Sequence, residues 1–246
     1  MSEGRSAIVI EDEQDIRQLL ATVLAQAGFR VHAAADGTRG LALVREHRPL
    51  VTTLDVNMPG MDGFEAARRI RAISSTYLVI LSARTEEIDA LQGLEAGADY
   101  YISKPFRPRE LRARIDAMLR RPRAHVLAPA TPSVPETDHA WLEHKGLRLN
   151  RQMHLAEADG VELELTPSEF DILADLLSSR RRVRSKTELA LVLRGVHAGA
   201  SGFVSDSDAR AIEVHMANLR RKLGESPSRP RWIETVRGVG YRLTAL

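Results

Sequence analysis

The feature that most restricts the fold is a fivefold alternation in the first half of the chain. Short aliphatic and β-branched runs at 7–10, 30–33, 50–54, 77–81 and 100–102 are each followed by an amphipathic stretch, near 14–27, 37–47, 63–72, 86–95 and 108–120. Five strand–helix units in succession predict a doubly wound α/β fold, a five-stranded parallel sheet with helices on both faces. Open sheets of this kind bind ligands outside the carboxyl ends of their strands. The residues just past those ends are Glu11 and Asp12, Asp55, Ser82, and Lys104 with Pro105.

Taken singly, an acidic residue after a strand is as often a helix cap as a functional group. Taken together, three carboxylates on one rim repel one another unless a cation neutralises them, and an all-oxygen set without His or Cys suits Mg²⁺. A lysine and a hydroxyl at the same rim can hold phosphoryl oxygens. The set predicts metal-assisted phosphoryl chemistry with an Asp as nucleophile.

A second constraint divides the chain. Residues 121–140, RPRAHVLAPATPSVPETDHA, carry four prolines and few apolar side chains, which is linker composition. We therefore expect a domain over 1–121, a linker over 122–139 and a second domain over 140–246. Charge is divided too. Residues 1–122 hold 17 basic and 17 acidic side chains, 123–179 hold 4 and 10, and 180–246 hold 14 and 6. A basic terminal region suggests a polyanion partner, with a solvated basic face as the plainer alternative. The absence of cysteine excludes disulfides, thiolate metal sites and a cysteine nucleophile. No apolar run approaches the roughly 18 residues of a spanning helix, so a cytoplasmic protein without membrane contact is expected.

In the second half, alternating segments over 141–165 read as a small antiparallel sheet. Thr166, Pro167 and Glu169 then open an amphipathic helix with a capping pattern. Further helices fit 185–193 and 207–223. In the last of these, Ile212, Met216, Leu219 and Leu223 form an apolar stripe, leaving Arg210, Val214, Ala217 and Arg221 opposite with Asn218 beside them. Arg220, Arg221 and Lys222 are placed to splay toward phosphates, although basic residues there also complement a helix dipole. Asn suits adenine in the major groove. Two strand-like runs joined through Arg237-Gly238-Val239-Gly240 complete an α+β winged helix-turn-helix pattern.

The segments IVIEDE, LDVNMPGMDG, ILSA and GADYYISKPF resemble the flavodoxin-like receiver domain of bacterial two-component response regulators. LTPSEFDIL, IEVHMANLRRKL and TVRGVGYRL are similar to the winged-helix effector domain of OmpR/PhoB-type transcription factors. The resemblance implies a phosphorylation-controlled, sequence-specific DNA-binding regulator, enzymatic only in its own Mg²⁺-dependent autophosphorylation and dephosphorylation. Asp55 would accept the phosphoryl group from a sensor histidine kinase. Glu11 and Asp12 would form the acidic pocket, with Mg²⁺ held by Asp12, Asp55 and the backbone carbonyl of Asn57. Lys104 would meet the phosphoryl oxygens, Ser82 would turn to them, and Tyr101 would follow as a switch. In the effector, Arg210, Val214, His215, Asn218 and Arg220 stand at contact positions of the recognition helix, with Arg221 beside them, and Thr235 and Arg237 on the wing.

The family's partners would be promoter DNA, RNA polymerase and a second copy of the chain. RNA polymerase contacts fall on the connector 195–208, which here is long and follows Arg194 in place of a usual tryptophan. Dimerisation would use the face of the fourth helix, fifth strand and fifth helix, where Asp99, Glu110 and Arg114 are retained. Ala90, Gln92 and Tyr100 replace charged residues there, so packing at Tyr100 is expected to outweigh ion pairs. Two other readings fit the same residues less fully. One is an aspartyl-phosphate phosphatase, disfavoured by Asn57 in place of a second Asp. The other is a phosphorylation-responsive scaffold that does not bind DNA.

Overall fold

The computed structural model describes residues 5–84, 86–120, 141–195 and 204–245. The linker expected over 122–139, most of the connector (196–203) and the side chain of Glu110 lie outside the described residues. The chain forms two compact units, Met1–Met118 and Leu119–Leu246.

In the first unit, β1 (Ser6–Ile10), β2 (Arg30–Ala34), β3 (Val51–Asp55), β4 (Tyr77–Ser82) and β5 (Tyr100–Ser103) pair in the order β2-β1-β3-β4-β5, all parallel. Between and after them run α1 (Gln14–Gln26), α2 (Gly37–His47), α3 (Gly63–Arg71), α4 (Glu87–Glu95) and α5 (Pro108–Arg120). Strands β3 and β4 are buried along their whole length, which follows from helices covering both faces. One core gathers Ile8, Ile10, Leu54, Leu78 and Ile80 from the sheet with Phe64, Ala67 and Ile70 from α3.

The start of α3 is pressed against the end of β3. A Cβ on Gly63 would lie 2.4 Å from the Asp55 carbonyl oxygen, and the Gly63 amide donates to the Val56 carbonyl at 3.1 Å. Only glycine permits that approach, and it holds the end of β3, with Asp55, in place.

The second unit opens with an antiparallel meander, β6 (Trp141–His144), β7 (Leu147–Asn150), β8 (Leu155–Ala158) and β9 (Val161–Glu162). Three helices follow: α6 (Pro167–Ser179), α7 (Lys186–Leu193) and α8 (Asp206–Leu223). Each begins with a full capping box, Thr166 with Glu169, Ser185 with Glu188, and Ser205 with Asp208, so orphan amides at every start are satisfied. The strands β11 (Ile233–Val236) and β12 (Gly240–Leu243) form a hairpin.

The sequence reading missed β10 (Arg184–Ser185), a two-residue strand that pairs with β12. A Cβ on Gly240 would sit 2.0 Å from the Arg184 carbonyl oxygen, so this pairing requires glycine at 240. The core packs Phe170, Leu173 and Leu177 of α6 and Ile212, Met216 and Leu219 of α8 against Leu147, Leu149, Ile233 and Leu243.

Candidate functional site

At the carboxyl ends of β1 and β3, Glu11 and Asp55 are buried and Asp12 is half-buried; one oxygen from each lies within 4.8 Å of the others. Lys104, one residue past β5, places its Nζ 3.0 Å from both carboxylate oxygens of Glu11 and 3.1 Å from Asp55 Oδ1. Burial pushes the Glu11 carboxyl up to about 7; the Lys104 hydrogen bond opposes this and the Asp55 charge adds to it. For Lys104 burial alone would lower the pKa, but the hydrogen bond to Glu11 and the charges of Asp55 and Glu11 outweigh it, and the net shift is upward.

The pocket concentrates negative charge that a single ammonium does not fully balance. Glu11 Oε2 and Asp55 Oδ1 are buried without a hydrogen bond of good geometry. The Lys104 ammonium is their charged neighbour, at 3.0 and 3.1 Å, and an all-oxygen donor set of this kind fits a hard divalent cation.

The structure brings the remaining rim residues close in different ways. Ser82 is the buried last residue of β4, and its Oγ accepts from the Arg84 amide at 3.0 Å. The Tyr101 hydroxyl donates to the Arg84 carbonyl at 2.9 Å, and burial pushes this phenol up against a hydrogen bond with Ser82 that pulls it down. Asn57 is exposed, and its side-chain oxygen accepts from Arg84 Nε at 3.0 Å.

Two arginines here escaped the sequence reading. Arg17 donates to the carbonyls of Glu11 (2.7 Å) and Asp12 (2.9 Å), fixing the turn that presents both acids. Arg84 reaches from the end of β4 to Asn57 and stands 3.5 Å from Asp89. The signal available in sequence for either was only a charge near a strand end.

One residue of the expected dimer face is used inside the domain. Asp99 is 1% exposed, bonded to Arg71 and to the Leu78 amide (2.9 Å). It is therefore not a surface charge, because Arg71 from the end of α3 also spans the Gly97 carbonyl (2.5 Å) and the Thr76 carbonyl. Arg114 instead stacks over Tyr100, its guanidinium carbon 4.0 Å from the ring centre.

In the second unit, the outer face of α8 is narrower than the sequence suggested. Arg210, Ala217 and Arg221 are exposed, as are Thr235 and Arg237 on the hairpin. Val214 is buried, and His215, Asn218 and Arg220 are 2%, 7% and 6% exposed. These four positions of the expected contact set are thus covered in the DNA-free domain, Arg220 through its bonds to the Ile233 carbonyl and Thr235 Oγ1. Asn218 Oδ1 accepts from Arg221 at 3.1 Å. Lys222 is likewise engaged, by Glu169 and the Glu164 carbonyl, both at 2.7 Å, and does not splay outward.

Residues 7–116 match the family described as response regulator receiver domain, and residues 160–243 match the transcriptional regulatory protein C-terminal family. The chain is 37% identical over 235 residues to the DNA-binding response regulator MtrA of Mycobacterium tuberculosis, covering 96% of this chain and 95% of that protein. Its identity with the transcriptional regulatory protein AfsQ1 of Streptomyces coelicolor is 39% over 239 residues, 97% of each. This chain belongs to the OmpR/PhoB-type response regulators. A solved structure of a RitR mutant superposes with a TM-score of 0.69 at 21% identity, over 99% of this chain and 100% of that one, a likeness of fold. As an OmpR/PhoB-type response regulator, the protein is a two-component transcription regulator with a receiver and a DNA-binding domain. Among the described residues no helix is long and apolar enough to cross a membrane.

Proposed function

We propose that Asp55 is the phosphoacceptor, that its donor is the phosphohistidine of a sensor kinase, and that phosphorylation promotes dimerisation and promoter binding. The observation that carries this reading is the Lys104 ammonium 3.1 Å from Asp55 inside a trio of carboxylates.

An Asp55 carboxylate oxygen attacks the phosphorus, the new O–P bond forms as the P–N bond breaks, and the imidazole leaves. Lys104 sits where it can pair with the transferred oxygens, and Ser82, at the adjoining strand end, offers a hydroxyl donor to them. Mg²⁺, held by Asp12, Asp55 and the Asn57 carbonyl with Glu11 behind them, would neutralise the charge that builds during transfer. The added phosphate brings about two negative charges and three strong acceptors, so the Ser82 and Tyr101 hydroxyls, now engaged with the Arg84 segment, have a reason to move.

In the effector domain, the exposed side chains of Arg210, Arg221 and Arg237 would meet DNA phosphates, with the exposed Ala217 and Thr235 presenting small surfaces to the duplex. The connector around 195–208 is the segment through which RNA polymerase would be reached. Phosphorylation from acetyl phosphate, followed by mass mapping of the modified residue, tests the reading. Modification confined to Asp55 supports it, and modification elsewhere refutes it.

A further inference from the structure

The last turn of α8 grips the wing through a buried ion pair that the functional reading leaves unused. Arg220 Nη2 donates to the Ile233 carbonyl and to Thr235 Oγ1, both at 2.9 Å. Its guanidinium lies 5.6 Å from the Tyr241 ring centre on the partner strand. Behind it, Arg220 Nε is 3.8 Å from Glu225 Oε1.

The Glu225 side chain is almost wholly buried, and its carboxylate accepts three successive amides of the segment entering β11: Arg231 at 2.9 Å, Trp232 at 2.8 Å and Ile233 at 3.2 Å. The helix ends at Gly224 in a left-handed conformation, and the Glu225 amide returns to the Arg220 carbonyl at 3.1 Å. The two charged side chains are thereby brought together within one turn, and both hold the first strand of the hairpin that carries Arg237.

We propose that Arg220 and Glu225 form a clamp fixing the wing relative to the recognition helix, so that Arg220 acts on DNA affinity as a positioning residue and not as a phosphate contact. The proposal rests on the reading that α8 and the hairpin bind DNA. Two DNA-facing elements held at a set separation lose little freedom on binding, whereas a loose wing must be ordered at the moment of contact. Buried ion pairs of this type are best credited with specifying geometry, since their desolvation cost offsets much of their attraction.

The clamp makes a sign prediction that simple electrostatics reverses. Glu225 is an anion in a DNA-binding domain, so by charge alone Glu225→Gln should tighten binding to a polyanion. As a clamp residue, its loss should weaken binding.

The experiment uses the full chain and a random-sequence DNA duplex, with affinity measured across a salt series. Glu225→Gln and Arg220→Gln are each expected to lose about five- to tenfold, with the slope of log K against log salt unchanged, whereas Arg237→Ala should reduce that slope by about 0.9 for one lost phosphate contact. In an Arg237→Ala background, Arg220→Gln should cost less than about twofold, because its effect passes through the wing. Hydrogen exchange supplies an arm without DNA: the amides of Arg231, Trp232 and Ile233 should exchange faster in Glu225→Gln while those of α6 do not.

Tighter binding by Glu225→Gln, a slope loss near 0.9 for Arg220→Gln, or unchanged exchange at those three amides would each overturn the clamp. A wild-type chain that shows no salt-dependent binding would overturn the DNA-binding reading and the clamp's role with it. Faster exchange at the three amides would then leave only the internal contact standing.

Discussion

Lys104 Nζ stands 3.0 Å from both carboxylate oxygens of Glu11, yet burial and the neighbouring Asp55 keep the Glu11 carboxyl up at about 7 against an ordinary 4.5. A folded-state pKa above the unfolded value means the folded receiver binds more protons in that window. Its stabilising share is complete below about 4.5 and is lost as pH rises toward about 7. Urea denaturation of the metal-free protein with chelator should therefore show receiver stability declining over that range. Glu11→Gln should flatten the decline, and an unchanged slope in that variant would assign the effect elsewhere.

Asp55→Asn should abolish phosphorylation by acetyl phosphate while leaving the far-ultraviolet spectrum and melting curve of the receiver near wild type. The amide keeps the shape of the carboxylate but cannot attack phosphorus. Chelation of divalent cations should stop wild-type labelling as well. Labelling that persists in chelator would remove the metal from the reaction.

The Asp99 carboxylate is committed to Arg71 and the Leu78 amide, which separates two roles that sequence position alone had merged. Asp99→Asn breaks a buried pair and should cost about 3 kcal/mol of receiver stability. Dimerisation of the beryllofluoride-activated protein should instead depend on Tyr100 and Arg114, which stack at 4.0 Å. Sedimentation at low and high salt checks this. A dimer that survives Tyr100→Asp undiminished would contradict it.

The parallel sheet and the acidic rim were legible because their signals are local: each strand is a short apolar run and each rim acid follows one directly. What escaped depended on partners far along the chain. Nothing near Asp99 in sequence announces Arg71, 28 residues away, or tells that Lys222 is held by Glu169, 53 residues away. A basic run at a helix end has the same appearance whether it faces solvent or is tied down. Strand β10 has only two residues and exists because Gly240 lets another backbone approach. Its pattern is too short to carry a period.

His144 joins β6 to the chain after β12. Thr244 Oγ1 donates to the Arg231 carbonyl at 2.7 Å, so His144 Nε2, 3.2 Å away, is the donor to that hydroxyl. Burial, and then the charge of Lys145, lower the His144 pKa below 6.5. The folded effector domain thus favours neutral imidazole, and its contribution is present above about 6.5 and lost as pH falls below it. Tryptophan fluorescence should show the effector domain weakening from pH 7 to 5, with His144→Gln less sensitive. Equal sensitivity in that variant would exclude His144 as the source.

Asn218 bears on how DNA sequence is read. In the DNA-free domain Asn218 is 7% exposed and its Oδ1 accepts from Arg221 at 3.1 Å, so there it holds a neighbour. An Asn reading adenine needs both its oxygen and its nitrogen free for a bidentate contact. Asn218→Ala should therefore release Arg221 and weaken binding to all sequences alike, by about two- to fivefold, leaving the consensus from binding-site selection intact. Arg221→Ala should remove one phosphate contact and lower the salt slope by about 0.9. In the double variant the Asn218 effect should vanish, since its route is through Arg221. A consensus altered at one base position by Asn218→Ala would show instead that the side chain swings out on binding and reads the groove itself.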